Sequence, residues 1–325
     1  MFNIVLAFIS AFLVSYFAMP SIIHVGKQKL ILDEPNDRGA HSESTPSLGG
    51  IGIFSGVLLA VVLWTPFHHF DDMQYILAAF LIIFLVGARD DIIPLSPWIK
   101  LAGETLAALI LVLASNIRIE SMFGVFGIYE LPFFFSVLLS VVAILVIINA
   151  FNLIDGINGL SASIALIISL IFGSWFFLTD YLALAIIAFA LSGSLLAFTK
   201  YNFSPARLFM GDTGSLLLGT VCSILAIKYA QHNAQIPDSI YYFRSAHVMA
   251  IAVLILPLYD TMRVFVRRAI NGKSPFSPDK NHIHHMLLET GLTHMQSTFV
   301  LASFNLFFIY LAYLLRDWPA ALLLL

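Results

Sequence analysis

The run FFFSVLLSVVAILVIINAFNLIDGINGL, from Phe133 to Leu160, decides how the rest of the chain is read. As far as about residue 150 it carries no charge, and it approaches the roughly 20 apolar residues that cross about 30 Å of hydrocarbon. Asn149, Asn152, Asp155, Gly156 and Gly159 then crowd its far end. Gly and Asn supply the backbone dihedrals that end helices, so a plain helix-ending turn accounts for them. A site offering backbone amides and a carboxylate to a ligand needs the same geometry. Both readings stand at this point.

The pattern recurs. Stretches of spanning character lie at about 2–23, 49–66, 74–88, 99–115, 132–150, 161–178, 181–198, 214–230, 246–264 and 297–315. The chain has 325 residues, 60% of them apolar and only 11% charged, with mean hydropathy +0.93. A soluble protein is about 25% charged. These values exclude a disordered chain, a nucleic-acid binder driven by net charge and almost any soluble enzyme. The fold expected is an all-α polytopic transmembrane helix bundle of ten or eleven spans, one domain over residues 1–325, without repeats. The first stretch lacks a basic leading region, so a cleaved signal peptide is not expected. The one cysteine, Cys222, excludes a disulfide framework and a cysteine-based metal cluster.

The basic residues separate by parity of connection. Odd connections hold Lys27, Lys29, Arg38, Arg89, Lys100, Lys200, Arg207, Arg263, Arg267, Arg268, Lys273 and Lys280. Even connections and the C-terminal end hold Arg118, Lys228, Arg244 and Arg316. The positive-inside rule places the odd connections in the cytoplasm.

The same connections carry five polar clusters: Asp33–Gly50 (DEPNDRGAHSESTPSLGG), Gly87–Pro94 (GARDDIIP), Asn149–Leu160, Asn202 through FMGDTGS with Asp212, and Pro257 and Asp260 through HIHH at His282, His284 and His285. A charge at mid-span costs at least about 2.5–3.5 kcal/mol, and the cost falls toward span ends. Acids on five loops of one face point to a shared site at the membrane boundary. Each cluster has a plainer reading. Asp90 and Asp91 form a solvated turn, or a pair whose repulsion a cation or proton relieves. Asp212 is the N-cap of the following helix, or part of a Mg²⁺–phosphate assembly at a helix N-terminus. The imidazoles are zinc ligands, or, in a basic frame without cysteine, hydrogen-bond donors to phosphate. Hard carboxylate and phosphate oxygens favour Mg²⁺ or Mn²⁺. His68 and His69 fall on the opposite face and read as loop residues. No P-loop and no G-x-S-x-G serine occurs.

In order, and along nearly the whole chain, these clusters resemble the polyprenyl-phosphate N-acetylhexosamine-1-phosphate transferase family. The matching pieces are D-x-P-N-x-R…H…TP-x-x-GG, the Asp pair, N-x-x-N-x-x-DG, N…MGDTGS and R-x-x-x-G-x-x-PF-x-PD-x-x-HxHH. The resemblance implies a bacterial inner (cytoplasmic) membrane enzyme with a cytoplasmic site, moving a sugar-1-phosphate from a UDP-sugar to undecaprenyl phosphate and releasing UMP with Mg²⁺. It implies Asp212 as metal ligand and Asp90, Asp91 and Asp155 as catalytic residues. Asn152, Asn202, Arg268, His282, His284 and His285 would bind substrate. The partners implied are the two substrates and the lipid bilayer, with no nucleic acid and with room for a homodimer. Two departures matter. Asn158 stands where the family often has a second acid, which puts a charged role there in doubt. The HIHHMLLETGL tail resembles the N-acetylglucosamine branch, leaving the phospho-N-acetylmuramoyl-pentapeptide enzyme as the alternative. A secondary transporter would place acids near the midplane and show repeated halves.

Overall fold

A computed structural model of the chain describes residues 1–29, 32–33, 45–70, 72–122, 124, 127–272 and 282–323. The described residues are helical almost throughout. Its helices are α1 (Phe2–Gln28), α2 (Gly49–Trp64), α3 (Met73–Ile92), α4 (Pro97–Leu113), α5 (Phe133–Ile154), α6 (Leu160–Leu178), α7 (Leu182–Asn202), α8 (Gly211–Gln235), α9 (Ala246–Val253), α10 (Ile255–Ile270), α11 (Ile283–Glu289), α12 (His294–Leu314) and α13 (Ala320–Leu323). A two-residue antiparallel pairing, β1 (Leu32–Asp33) with β2 (Thr45–Pro46), ties down the first connection. Most of the Asp33–Gly50 cluster, including Arg38, and the stretch from Lys273 through Lys280 lie outside the described residues.

All ten apolar stretches are helical. Among the described residues six helices are long and apolar enough to cross a membrane (α1, α5, α6, α7, α8 and α12), and the bent pair α9–α10 makes a seventh if it is one span. α2, at 16 residues, is only about 24 Å long at 1.5 Å per residue. Helices in lipid gain little from hydrophobic burial against one another, so close packing of small residues holds them together. α8 is the hub. The most apolar window of α8 is 89% buried, and the helix packs against α2, α3, α5 and α6.

The connections sort to two ends of the bundle by parity. At one end the amides of Gly49 and Gly50 donate to the carbonyls of Phe209 and Met210, joining the first connection to the seventh. At the other, Gln231 reaches the Asn116 carbonyl and His232 lies 3.3 Å from the Thr179 carbonyl.

One expected span is not straight. The stretch 246–264 breaks at Leu254, and α10 leaves α9 at 75°. Pro257 has no amide hydrogen and so cannot donate to the carbonyl four residues back, at Val253. Asn305 of α12, fully buried, supplies the missing donor: its Nδ2 donates to the Val253 carbonyl at 3.2 Å. Its Oδ1 accepts the Leu256 amide at 3.2 Å. One carboxamide thus satisfies both strands of the break. Asn305→Leu leaves two buried backbone groups unpaired at about 1–3 kcal/mol each, and a fall in the melting temperature of the detergent-purified protein is expected. An unchanged melting temperature would contradict that role.

Candidate active site

A helix starting inside a protein has amide hydrogens without intrahelical partners. At α8 these are met from another helix. Asp91, in the last turn of α3, accepts the Asp212 amide on Oδ1 at 2.6 Å. Its Oδ2 accepts the Thr213 amide at 3.0 Å and the Thr213 hydroxyl at 2.5 Å. The approach depends on Gly87, where a Cβ would lie 2.5 Å from Thr213 Cα. Of the two readings of Asp212, the helix cap is set aside: Asp212 lies in the first turn without a capping bond, and Asp91 holds the free amides. The positive end of the α8 dipole favours the carboxylate there.

Released from capping, Asp212 faces the bundle. Asn152 of α5 donates to its Oδ1 and, at 3.0 Å, to the Ser215 hydroxyl. Lys100 of α4 donates to its Oδ2 at 2.6 Å, and the same ammonium lies 3.0 Å from Asp90 Oδ2. Asp90 also accepts the Leu95 amide at 2.6 Å. The acidic pair is thus no solvated turn; both members close helix α3 and both are held. The motifs do not single out Lys100 as a site residue. Nor do they mark Glu104, one turn further along α4, buried and accepting from Asn149 at 2.8 Å. An acid inside an apolar stretch was the available signal for Glu104.

Asp155 follows the end of α5 and accepts a short hydrogen bond from the Ser161 hydroxyl. Burial, aided by the charges of Asp212 and Asp91, pushes its carboxyl up to about 7. Asn202 uses both ends of its amide, accepting from the Gly159 amide at 2.7 Å and donating to the Leu208 carbonyl at 3.0 Å. It joins the Asn149–Leu160 loop to the segment entering α8. Asn158 donates to Ser204 at 2.9 Å, and its backbone carbonyl accepts from Thr298 of α12 at 2.9 Å.

The histidine arm forms a second group. Fully buried Asp260 of α10 accepts the Ile283 amide at 2.9 Å and lies 2.8 Å from His282 Nδ1 and 3.1 Å from Arg263 Nη2. This holds α11 in place. His284 is buried, its two ring nitrogens unpartnered among the described residues. Burial first, then His285, holds its imidazole down at about 3, so the ring is neutral. A Cβ on Gly156 would lie 2.3 Å from His284 Nε2, so this glycine is what lets α11 sit on the Asp155 loop. Gly156→Ala is expected to push α11 off that loop, raising His284 modification by diethylpyrocarbonate; unaltered labelling would refute the contact. Arg268 is buried on α10, its guanidinium 6.0 Å from the Phe265 ring centre.

Asp90, Asp91, Asn152, Asp155, Asn202 and Asp212, with Asn158 and Ser47, line one polar cleft of about 390 Å³. Arg268, His282, His284 and His285 are not among its lining residues; of the four, His284 abuts Gly156, next to the lining residue Asp155. A larger recess along α10, about 570 Å³, is walled by Tyr259, Met262, Val266 and Ile270 with two arginines and holds no carboxylate. Among the described residues no three His, Cys, Asp or Glu side chains are grouped to hold a metal unaided. Mg²⁺ does not need such a cage, since it binds through one or two carboxylates together with substrate phosphates. Asp212 and Asp90, hard oxygen donors drawn to one cation between them, fit that requirement.

Bundle and cleft define a multi-pass membrane protein that brings acids, amides and a lysine together at one end of an apolar body. Residues 73–230 match the model described as glycosyl transferase family 4. The chain is 33% identical to a probable undecaprenyl-phosphate N-acetylglucosaminyl 1-phosphate transferase of Bacillus subtilis, covering 93% of this chain and 82% of the relative. It is 31% identical to the decaprenyl-phosphate N-acetylglucosaminephosphotransferase of Mycobacterium tuberculosis, over 90% of this chain and 78% of that one. Against the undecaprenyl-phosphate alpha-N-acetylglucosaminyl 1-phosphate transferase of Yersinia pestis the identity is 30%, over 82% and 72%. The chain belongs to glycosyl transferase family 4, the family its motifs resemble.

Proposed function

We propose that the protein transfers N-acetylglucosamine-1-phosphate from UDP-N-acetylglucosamine to undecaprenyl phosphate. The products are undecaprenyl-diphosphate-N-acetylglucosamine and UMP, in the first membrane step of a cell-envelope glycan pathway. The reading rests above all on the Asp90–Lys100–Asp212–Asn152 cluster at one end of an apolar bundle. Acids, an amide and a lysine at that end suit the meeting of a lipid-borne phosphate with a water-soluble nucleotide. The excess of basic residues on the odd connections supports a cytoplasmic orientation of this end.

Asp212 and Asp90 would hold Mg²⁺, which when bound neutralises charge gathering on the diphosphate. Lys100, which bridges the same two carboxylates, draws their oxygens together. Asn152 orients Asp212, and Asp91 fixes the helix end that carries it. Asp155, whose carboxyl titrates near neutrality, can take up a proton from an incoming phosphate monoester. His282, His284, His285 and Arg268 would border the sugar and diphosphate. The lipid phosphate attacks the β-phosphorus of the donor directly, so the new P–O bond forms as the bond to UMP breaks. No covalent enzyme intermediate is needed.

Purified protein with UDP-N-acetylglucosamine, undecaprenyl phosphate and Mg²⁺ should release UMP only when the lipid is present. No release with any UDP-N-acetylhexosamine would remove the proposal, and parallel initial-rate lines would replace direct attack by a two-step route. A donor panel including N-acetylgalactosamine and 6-deoxy sugars tests the choice of sugar.

A further inference from the structure

Lys100 and Glu104 sit four residues apart on α4 and therefore on one helix face. At the cleft the Lys100 ammonium already bridges two carboxylates, at 2.6 Å from Asp212 and 3.0 Å from Asp90. These are the oxygens that a divalent cation at Asp212 would use. A lysine and a metal compete for them: two cations at one pair of oxygens repel, and the ammonium occupies lone pairs that face the space between the carboxylates. One turn deeper, Glu104 is 1% exposed. Its Oε2 accepts from Asn149, while its Oε1 is buried with no hydrogen-bond partner among the described residues. Leaving a carboxylate oxygen unpaired in an apolar bundle is costly, and a flexible ammonium on the same face is the group able to relieve it.

We propose that Lys100 is an exchangeable internal cation: it holds Asp90 and Asp212 together, and when a divalent cation takes Asp212 its ammonium moves to the free oxygen of Glu104. Glu104 is then a positioning residue, acting on metal binding through Lys100. This rests on the reading of Asp212 as a metal ligand. The exchange makes no covalent bond; one ion pair is traded for another, and the charge on Asp212 passes from ammonium to metal.

The test is binding of Mn²⁺ alone to the detergent-purified full chain, read as loss of the free-ion paramagnetic resonance signal. Lys100→Met removes the competitor and should bind Mn²⁺ about tenfold tighter than wild type, equivalent to about 1.4 kcal/mol. Glu104→Gln removes the landing place and should bind it several-fold more weakly. The double variant should match Lys100→Met, because without the lysine Glu104 has nothing to receive; a merely structural role for Glu104 would weaken binding in both backgrounds. Lys100→Gln repeats the comparison should the methionine variant misfold. Wild type that binds Mn²⁺ while both lysine variants bind it no tighter overturns the exchange alone. If no variant binds Mn²⁺ up to millimolar concentration, the metal reading of Asp212 fails, and the exchange falls with it.

Discussion

Asp212→Asn is expected to lower lipid-dependent UMP release by about three orders of magnitude, about 4 kcal/mol of barrier, while leaving the protein folded. The reasoning starts from what the side chain does not do. Asp212 carries no capping bond for α8, and its oxygens instead meet Asn152 and Lys100. Asparagine keeps the shape and one accepting oxygen, so the contact with Asn152 survives. The negative charge is lost, and with it the pull on either cation. The melting temperature should therefore change little while turnover collapses. Full activity in this variant would refute the metal assignment.

Asp91→Ala should fail differently. Its carboxylate accepts two amides and a hydroxyl at the start of the most deeply buried helix. Each donor left unpaired costs about 1–3 kcal/mol, and three of them amount to a loss on the order of half a domain's stability. Lower melting temperature and lower yield of folded protein are expected along with lost activity. Asp91→Asn separates the cap from chemistry. It retains one accepting oxygen, so its stability should lie between the other two. If it folds but is inactive, Asp91 also acts on the substrate; if it is active, its part is confined to seating α8. An alanine variant as stable as wild type would disprove the cap.

Much of this is legible in the sequence. All ten apolar stretches are helices, and the connections gather by parity at two ends, because hydrophobic length and charge placement act locally. The bend at Leu254 had a visible cause in Pro257, but its repair by Asn305 depends on packing from a helix about fifty residues later. Asp90 and Asp91 look identical in the sequence. Only tertiary contact assigns one to the lysine and the other to the amides of α8. Lys100 and Glu104 carried no motif, and a lone charge in an apolar run does not name its partner. Asp260 stood in a recognised cluster, yet its task of clamping α11 follows from burial, which periodicity alone did not disclose.

The capping of α8 by Asp91 spans 121 residues of chain. A ribosome delivers α3 long before α8, so during synthesis this carboxylate waits in the translocating chain without the amides that will engage it. Elements inserted earlier already pair, as Asn149 does with Glu104, but the seam between α3 and α8 closes only when residues 211–213 arrive. Assembly of the cleft therefore waits on the eighth helix, and until it arrives Asp91 is a carboxylate without its amides.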